Sequence, residues 1–297
     1  MATNKCLFLN GEKISFDDAV KKMDAQKFIA LRHGLTHFEL DGPQDGTPVV
    51  LVNGFSIPLF LWDHTYSVLA EAGFRVLRFD FYGRGFSARP DVEYGPDLFD
   101  QQLLDILEAL KIKDPIHLIG SSMGGVVSAI FADRHPEQVN KLVLIDPAGM
   151  MAPMTFPMSA LKVPLVGEVI MHLLGDIILL PSMKDDLLHP DAFPEYLTLY
   201  EPQMRIFGFK RAILSTLRSG MLYNEEAVYR RLGQKNIPIL LLWGKEDRVI
   251  PLPIGERCHS VLPHANFQII DQAGHVPHYE LSERINPILT DFLKSPA

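Results

Sequence analysis

Cysteine is scarce in this sequence. Only two cysteines, Cys6 and Cys258, occur among the 297 residues, and they do not stand in the C-x-x-C spacing of a metal or redox motif. Two cysteines cannot build the disulfide framework of a small secreted domain. We therefore expect two free thiols in a reducing compartment and a cytoplasmic protein, with a single disulfide as the alternative.

Uncharged apolar runs long enough to cross a membrane are also missing. A spanning helix needs about 20 residues almost free of charge, and residues 1–10 lack the apolar length of a secretory signal. The most apolar stretch, residues 161–180, is interrupted by Lys162, Pro164, Glu168, His172 and Asp176. We expect neither a signal nor a transmembrane segment, while peripheral contact of an amphipathic stretch with a membrane stays open.

Basic clusters and metal-binding patterns are absent as well. The formal net charge is −8 and no long run of lysine or arginine occurs, so we expect no nucleic-acid partner. There is no H-E-x-x-H motif and no set of His, Cys and Asp with the spacing of metal ligands. Gly83-x-Gly85 lacks the third glycine of a dinucleotide-binding turn. The sequence therefore predicts neither a metal nor a cofactor.

Short apolar runs alternate with stretches of helical spacing along much of the chain. Several runs are nearly continuous in Val, Ile and Leu, which is typical of strands buried on both faces of a parallel sheet. The predicted strands are 36–40, 49–52, 74–81, 116–119, 142–145, 239–243 and 267–270, and the predicted helices are 14–31, 98–110, 126–134 and 285–293. This alternation predicts an α/β fold with a mostly parallel sheet flanked by helices.

The alternation stops between residues 148 and 232. Eight of the eleven methionines lie between Met150 and Met221, and only helical stretches are visible there. We interpret 148–232 as an inserted helical cap on a core formed by 1–147 and 233–297. The methionines favour either a lid over an apolar acyl pocket or ordinary helix packing, because methionine suits both.

The strongest chemical signal is Gly120-x-Ser122-x-Gly124, which directly follows an apolar strand and precedes a helix. A serine hydroxyl is a weak nucleophile unless it is exposed beside a base. A tight strand-to-helix turn exposes it, and the crowding of that turn requires very small residues at the flanking positions. Ser122 is therefore the predicted nucleophile.

From Thr36 to the C-terminus the chain resembles the α/β-hydrolase family of serine hydrolases, and Ser122 with Asp146-Pro147-Ala148-Gly149 resembles its monoacylglycerol-lipase-like members. The family order is serine, then an acid, then histidine. Asp247, in W-G-K-E-D-R-V-I-P, matches the acid loop, and His275, in G-H-V-P-H, matches the histidine loop. The resemblance implies that His275 is the general base and that Asp247 orients it.

Other residues remain candidates for these roles. For the base, His278 is the nearest competitor, whereas we interpret His117 as a packed strand residue and His64 as a possible lining residue of the pocket. For the acid, the alternatives are Glu246 and Asp146, since Asp146 also follows a strand end. The block from Asp80 to Ser87 resembles a family turn that shapes the fold.

An oxyanion requires two fixed N–H donors. The resemblance implies the backbone N–H groups of Met123 and Phe55, the latter in the loop after the strand 49–52. The chain departs from the family here, because Asn53-Gly54 stands where His-Gly is usual. We interpret Asn53 as structural, and the main-chain donor survives the change.

These residues predict a serine hydrolase that cleaves carboxylic esters of a medium or long apolar acyl group through an acyl-enzyme on Ser122. Rivals on the same triad are a C–C bond hydrolase of ring-cleavage products, a cofactor-free perhydrolase and an acyltransferase. A hydrolase-like receptor for a small ligand is the alternative from another class. Fold alone does not choose among them, and the sequence does not indicate an oligomeric state.

Overall fold

Six neighbouring strands of the sheet pair in parallel. A hairpin of two mutually antiparallel strands extends one edge. The computed structural model describes residues 11–296. In this part of the chain the eight strands lie in the order β1-β2-β4-β3-β5-β6-β7-β8, with β2 antiparallel to both β1 and β4. They are β1 (Phe28–Leu31), β2 (Gly34–Asp41), β3 (Pro48–Val52), β4 (Arg75–Phe79), β5 (Ile116–Ser121), β6 (Val139–Ile145), β7 (Ile239–Gly244) and β8 (Asn266–Ile270).

Eleven α-helices accompany the sheet in the described residues. They are α1 (Phe16–Val20), α2 (Asp63–Glu71), α3 (Pro96–Ala109), α4 (Met123–Arg134), α5 (Val166–Ser182), α6 (Pro194–Met204), α7 (Phe209–Ser219), α8 (Glu226–Leu232), α9 (Leu252–Val261), α10 (Pro277–Glu280) and α11 (Ser282–Lys294). The α/β-hydrolase fold predicted from the sequence is confirmed.

The middle strands consist mostly of apolar residues because helices cover both faces of the sheet. In β3, Val50 and Val52 join a core cluster with side chains of α3, α4 and α9. Val49 and Leu51 point the other way and join a second cluster with side chains of α2 and α11. Successive residues of a strand face opposite sides, so a strand between two helix layers has no polar face to present.

The N-terminal part differs from the prediction. The helix predicted over 14–31 is wrong beyond its first turns, since α1 spans only Phe16–Val20 and residues 28–31 form β1. The segment 36–40, predicted as the first strand, lies in the second. Phe28–Leu31 pairs antiparallel with Gly34–His37. A four-residue apolar run has no periodicity that separates strand from helix, and the pairing with β2 decides.

Residues 148–232, called the inserted segment below, contribute four helices, α5 to α8, and no strand to the described sheet. Helix α8 differs from the other three, because its Val228, Tyr229 and Leu232 belong to the core cluster that contains α4. Helices α5 and α6 place their buried apolar side chains in the second cluster, on the opposite face, as does most of α7, whose Ala212 belongs to the first.

Helix α5 exposes large apolar side chains to solvent, while its acidic side chains are paired with basic residues. Its carboxylates are paired within the inserted segment, Glu168 with Arg218 at 2.5 Å and Asp176 with Lys210 at 2.8 Å. Its solvent side carries large apolar side chains, among them Val166, Val169, Leu173, Leu174 and Ile177. Both carboxylates of α5 are therefore paired with protein groups, while these five apolar side chains are exposed to solvent. Even so, none of the described helices has the length and apolarity needed to cross a membrane.

Cys258 is a free, buried thiol on α9, and burial raises its pKa to about 12. It is therefore unreactive at neutral pH. Cys6 and the stretch considered for a secretory signal lie outside the described residues.

Candidate active site

Ser122 lies in the sharp turn between β5 and α4. Its backbone has φ 55° and ψ −118°, a conformation that residues other than glycine rarely adopt. The Ser122 N–H donates to the carbonyl of Ile145 at the end of β6 (3.0 Å). Backbone strain held by surrounding structure is characteristic of functional sites, and the predicted turn is present.

The flanking glycines are required by close backbone contacts. A Cβ on Gly120 would lie 2.2 Å from the carbonyl oxygen of Gly124. A Cβ on Gly124 would lie 2.1 Å from the carbonyl oxygen of Val52 and 2.4 Å from that of Asn53. The start of α4 thus sits directly against the end of β3, which brings Ser122 beside the loop that follows β3.

Asp247 and His275 meet at the ends of the two neighbouring strands β7 and β8. His275 Nδ1 lies 2.7 Å from Asp247 Oδ2, and both side chains are buried. The other carboxylate oxygen, Asp247 Oδ1, accepts the N–H groups of Val249 (2.7 Å) and Ile250 (2.9 Å). The carboxylate is therefore fixed on both oxygens and holds the imidazole in one orientation.

The charges around His275 favour its protonated form. Burial alone would lower the pKa of His275, but the Asp247 carboxylate, and to a smaller extent Asp186, outweigh burial and raise that pKa above its usual value. An imidazolium that forms during a proton transfer is thus stabilised where it forms.

Ser122 and His275 line the same cavity, whose volume is about 260 Å³. No hydrogen bond joins their side chains among the described residues, which is common before a substrate tightens the site. The lining comprises Gly54, Phe55, Ser56, Ile57, Leu61, Ser121, Ser122, Ser182, Met183, Asp185, Asp186, Arg248, Val249, His275 and Val276. Four of these residues come from the inserted segment, which therefore closes one side of the cavity.

Two backbone N–H groups remain available near Ser122. Phe55 lines the cavity, and Met123 directly follows Ser122 as the first residue of α4. Neither N–H donates to another residue in the described part of the chain. Asn53 lies behind this loop and donates from Nδ2 to the carbonyl of Phe79 (2.8 Å). Both predicted oxyanion donors are thus unengaged beside the serine.

The competing histidines are placed elsewhere. His278 is buried against the Trp62 ring (centroids 4.3 Å apart), and burial lowers its pKa to about 3. His117 lies inside β5, where burial lowers its pKa to about 4. His64 is exposed and packs edge-on against Tyr279. None of the three is among the lining residues, so the interpretation of His64 as a pocket residue is wrong.

The alternative acids have different surroundings. Glu246 accepts the N–H of Ala273 (3.1 Å) and so ties the acid loop to the histidine loop. Asp146 is fully buried at the end of β6, and one of its oxygens accepts the N–H of Gly244 (2.8 Å). Burial first, and the Asp247 carboxylate second, raise the pKa of Asp146 well above its usual range. Neither alternative is hydrogen-bonded to His275.

Few side chains in this site are free to act as metal ligands. Among the described residues, one group of three potential ligands lies within 4.8 Å, formed by Asp146, Asp247 and His275. His275 Nδ1 and Asp247 Oδ2 already engage each other. The donor set fits a histidine–carboxylate pair better than a metal centre.

Asp186, in the inserted segment, was not predicted. Its carbonyl accepts the N–H of His275 (2.8 Å), its carboxylate accepts the hydroxyl of Tyr196 (3.2 Å), and it lines the cavity. Burial raises its pKa to about 7. The only trace in the sequence is an acidic pair after the apolar α5, which no motif marks.

Two buried side chains hold the loop that carries Phe55. Arg84 donates from Nε to the Phe55 carbonyl (2.8 Å) and from a terminal nitrogen to Thr216 Oγ1 (2.8 Å). Gln203 donates to the Ser56 carbonyl (2.8 Å). The turn predicted to shape the fold thus also links the loop after β3 to the inserted segment, whereas Gln203 was not predicted.

A second cavity lies in the inserted segment beside the first. Its volume is about 250 Å³, and it is lined by Met183, Lys184, Leu187, Pro190, Asp191, Phe193, Pro194, Tyr196 and Leu197. Met183 lines both cavities. This flexible side chain therefore stands between them.

With this geometry in place, comparison with known proteins identifies the family. A family model described as the alpha/beta hydrolase family matches residues 49–287. The chain belongs to the α/β-hydrolase family. Two similar relatives are both named 2-hydroxy-6-oxononadienedioate/2-hydroxy-6-oxononatrienedioate hydrolase. The one from Paraburkholderia phymatum is 30% identical over 282 residues, covering 90% of this chain and 95% of the relative.

The second, from Cupriavidus pinatubonensis, is 28% identical over 291 residues, covering 93% of this α/β-hydrolase and 97% of the relative. Among solved structures, a thermophilic esterase from Thermogutta terrifontis superposes with a TM-score of 0.75 at 25% identity, covering 90% of this chain and 97% of that one. Similarity along nearly the whole length thus extends to hydrolases of 2-hydroxy-6-oxononadienedioate and to an esterase.

Proposed function

We propose that this α/β-hydrolase works through an acyl-enzyme on Ser122, with His275 as general base and Asp247 as the acid that orients it. One observation carries the proposal. A serine on a strained turn shares a cavity with a histidine that is bonded to a buried carboxylate, beside two unengaged N–H groups. The inserted segment acts as the cap of this site.

In the first step His275 removes the proton of Ser122 as Oγ attacks a carbonyl carbon. The negative charge that develops on the carbonyl oxygen is held by the N–H groups of Phe55 and Met123. Asp247 stabilises the imidazolium. His275 then gives the proton to the leaving group, and water activated by His275 releases the acid.

For the substrate we propose the product of an aromatic ring cleavage, a 2-hydroxy-6-oxo-dienoate. The C5–C6 bond of such a molecule breaks readily only after its dienol has become the 2-oxo tautomer with a proton added at C5. Ser122 then adds to C6, and the electron pair of the broken bond is delocalised through C3=C4 onto the C2 oxygen. Relatives that are 28–30% identical over at least 90% of this chain carry names of this class.

Arg248 supports an anionic substrate. It lines the cavity next to Asp247 and makes no hydrogen bond or salt bridge with any residue between 11 and 296. A guanidinium without a partner at the mouth of a cavity is suited to a planar carboxylate, which it can bind through two parallel bonds. The C1 carboxylate of a dienoate supplies that group, whereas a simple alkyl ester does not.

The second candidate is hydrolysis of a carboxylic ester. The apolar lining residues Ile57, Leu61, Met183 and Val276 favour it, as does the structural similarity to an esterase. An alcohol leaves with a proton from His275 and needs no conjugated system. This function requires the same three residues.

The test compares both substrates in one protein. We would measure kcat/KM on 2-hydroxy-6-oxohepta-2,4-dienoate, through loss of its absorbance, and on p-nitrophenyl esters from acetate to palmitate. Ser122→Ala is the test variant, and Ser260→Ala, an exposed serine on α9 outside the cavity, is the matched control. We expect the dienoate to be preferred by about 100-fold or more, the scale of a few kcal/mol of differential transition-state binding.

Ser122→Ala is expected to abolish both activities and Ser260→Ala neither. Turnover of esters alone, still dependent on Ser122, would replace the first candidate by the second. Substantial turnover in Ser122→Ala would contradict both.

A further inference from the structure

We infer that Asp146 is a positioning residue that carries a proton and donates a hydrogen bond to Asp247, behind the histidine–carboxylate pair. The inference rests on the proposed roles of Asp247 and His275. It assigns a function to a side chain for which the mechanism above has no use.

The placement of Asp146 follows from the sheet. Strands β6 and β7 are parallel neighbours, so Asp146 after β6 and Asp247 after β7 emerge at the same edge. An oxygen of Asp146, an oxygen of Asp247 and a ring nitrogen of His275 all lie within 4.8 Å of one another. Asp146 also has φ 44°, so its backbone is held in a strained conformation at this point.

Counting hydrogen-bond donors shows which carboxyl keeps the proton. Asp247 receives two N–H groups on Oδ1 and the imidazole on Oδ2. Asp146 receives one N–H, from Gly244, and its Oδ2 has no donor among the described residues. Donors stabilise the ionised form. Asp247 is therefore the carboxylate, and Asp146 the neutral acid whose hydroxyl needs an acceptor.

The electrostatic surroundings agree with this assignment. Asp146 is fully buried, and the charged groups nearest to it are Asp247, Glu280 and, across the pair, His275. Burial and two neighbouring carboxylates all raise the pKa of Asp146. Two adjacent carboxylates out of water share one charge, as in other carboxyl pairs. The orphan oxygen then becomes the donor of an O–H bond to Asp247.

This hydrogen bond has two consequences for catalysis. It fixes the Asp247 carboxylate by a further hydrogen bond, and it draws negative charge away from the imidazole. The pKa of His275 is then raised less than an isolated carboxylate would raise it. Loss of the donor should raise the pKa of His275 further and loosen its orientation.

The activity test uses Asp146→Asn and Asp146→Ala. The readout is the rate at which a fluorophosphonate probe phosphonylates Ser122 Oγ with release of fluoride, measured against pH, because it needs no knowledge of the natural substrate. The amide of Asp146→Asn keeps a donor, so we expect a rate loss below about tenfold and an unmoved acid limb. Asp146→Ala removes the donor, so we expect a loss of about 10- to 100-fold, the scale of one bond to a charged group. Its acid limb should move to higher pH.

Three outcomes are decisive in the activity test. A loss in Asp146→Asn as large as that of Asp247→Asn, about 10³- to 10⁴-fold for a triad member, would show that Asp146 is needed as a charge and overturn the inference. Wild-type rates and pH limbs in both variants would overturn it too. No labelling of Ser122 in the wild type would instead contradict the proposed function.

A spectroscopic test keeps the inference open to refutation if the alanine variant does not fold. The infrared difference between wild type and Asp146→Asn at neutral pH should contain the carbonyl band of a protonated carboxylic acid, absent from the variant. A carboxylate band in its place would refute the inference.

Discussion

Replacing Gly124 with alanine tests the close fit that presents Ser122. The new Cβ would lie 2.1 Å from the Val52 carbonyl oxygen, and ordinary contact begins near 3.4 Å, so the start of α4 and the end of β3 must separate by 1.3 Å (3.4 minus 2.1). Both partners are backbone, so no side chain can rotate away. We expect a cost of about 3 kcal/mol, the upper end of the range for overpacking.

That cost corresponds to a fall in Tm of about 6 to 12 °C, measurable by circular dichroism. A shift of this size also moves Ser122 relative to Phe55, so kcat should fall by about 100-fold. Gly95→Ala is the matched control, because its Cβ would meet nothing closer than 3.7 Å. It should cost less than about 1 kcal/mol through its helix-capping position. A Gly124→Ala protein with the Tm and kcat of the wild type would refute the steric argument.

Two further predictions concern the cavity. Because the general base must be neutral and the pKa of His275 is raised above its usual 6.5, kcat/KM should fall as the pH drops through a midpoint above 6.5, and Asp247→Asn should lower that midpoint. A pH profile with its midpoint below 6.5 in the wild type would contradict this. Met183→Ala should join the two cavities and shift preference toward longer acyl groups, at a cost of about 2 kcal/mol or more in stability. An unchanged chain-length profile would show that Met183 does not separate them.

The buried strands could be predicted because a strand that is buried on both faces consists mostly of apolar residues. Five of the predicted runs coincide with the buried strands β3, β4, β5, β6 and β7 to within a few residues at each end. β1 could not be predicted in this way, because Phe28–Leu31 becomes a strand only through its pairing with β2. The four residues of β1 do not themselves indicate the strand with which they pair.

The same limit applies to the candidate site. Ser122 is set by a local turn whose glycines are visible in the sequence. Asp186 and Gln203 reach the site only because the inserted segment folds back over the sheet, through contacts with His275 and Ser56. Nothing within a few residues of either one indicates this, so contacts between distant segments had to be seen in the structure.

The positions of the tryptophans make intrinsic fluorescence a selective reporter. Trp62 and Trp243 are the only two in the sequence, both are completely buried, and residues 148–232 contain none. Trp62 stacks on His278, which stays uncharged at neutral pH because its pKa is about 3. Emission should therefore follow unfolding of the sheet and remain insensitive to movement of the inserted segment. A tryptophan introduced at Phe193, which lines the second cavity, would make that movement visible against a constant background.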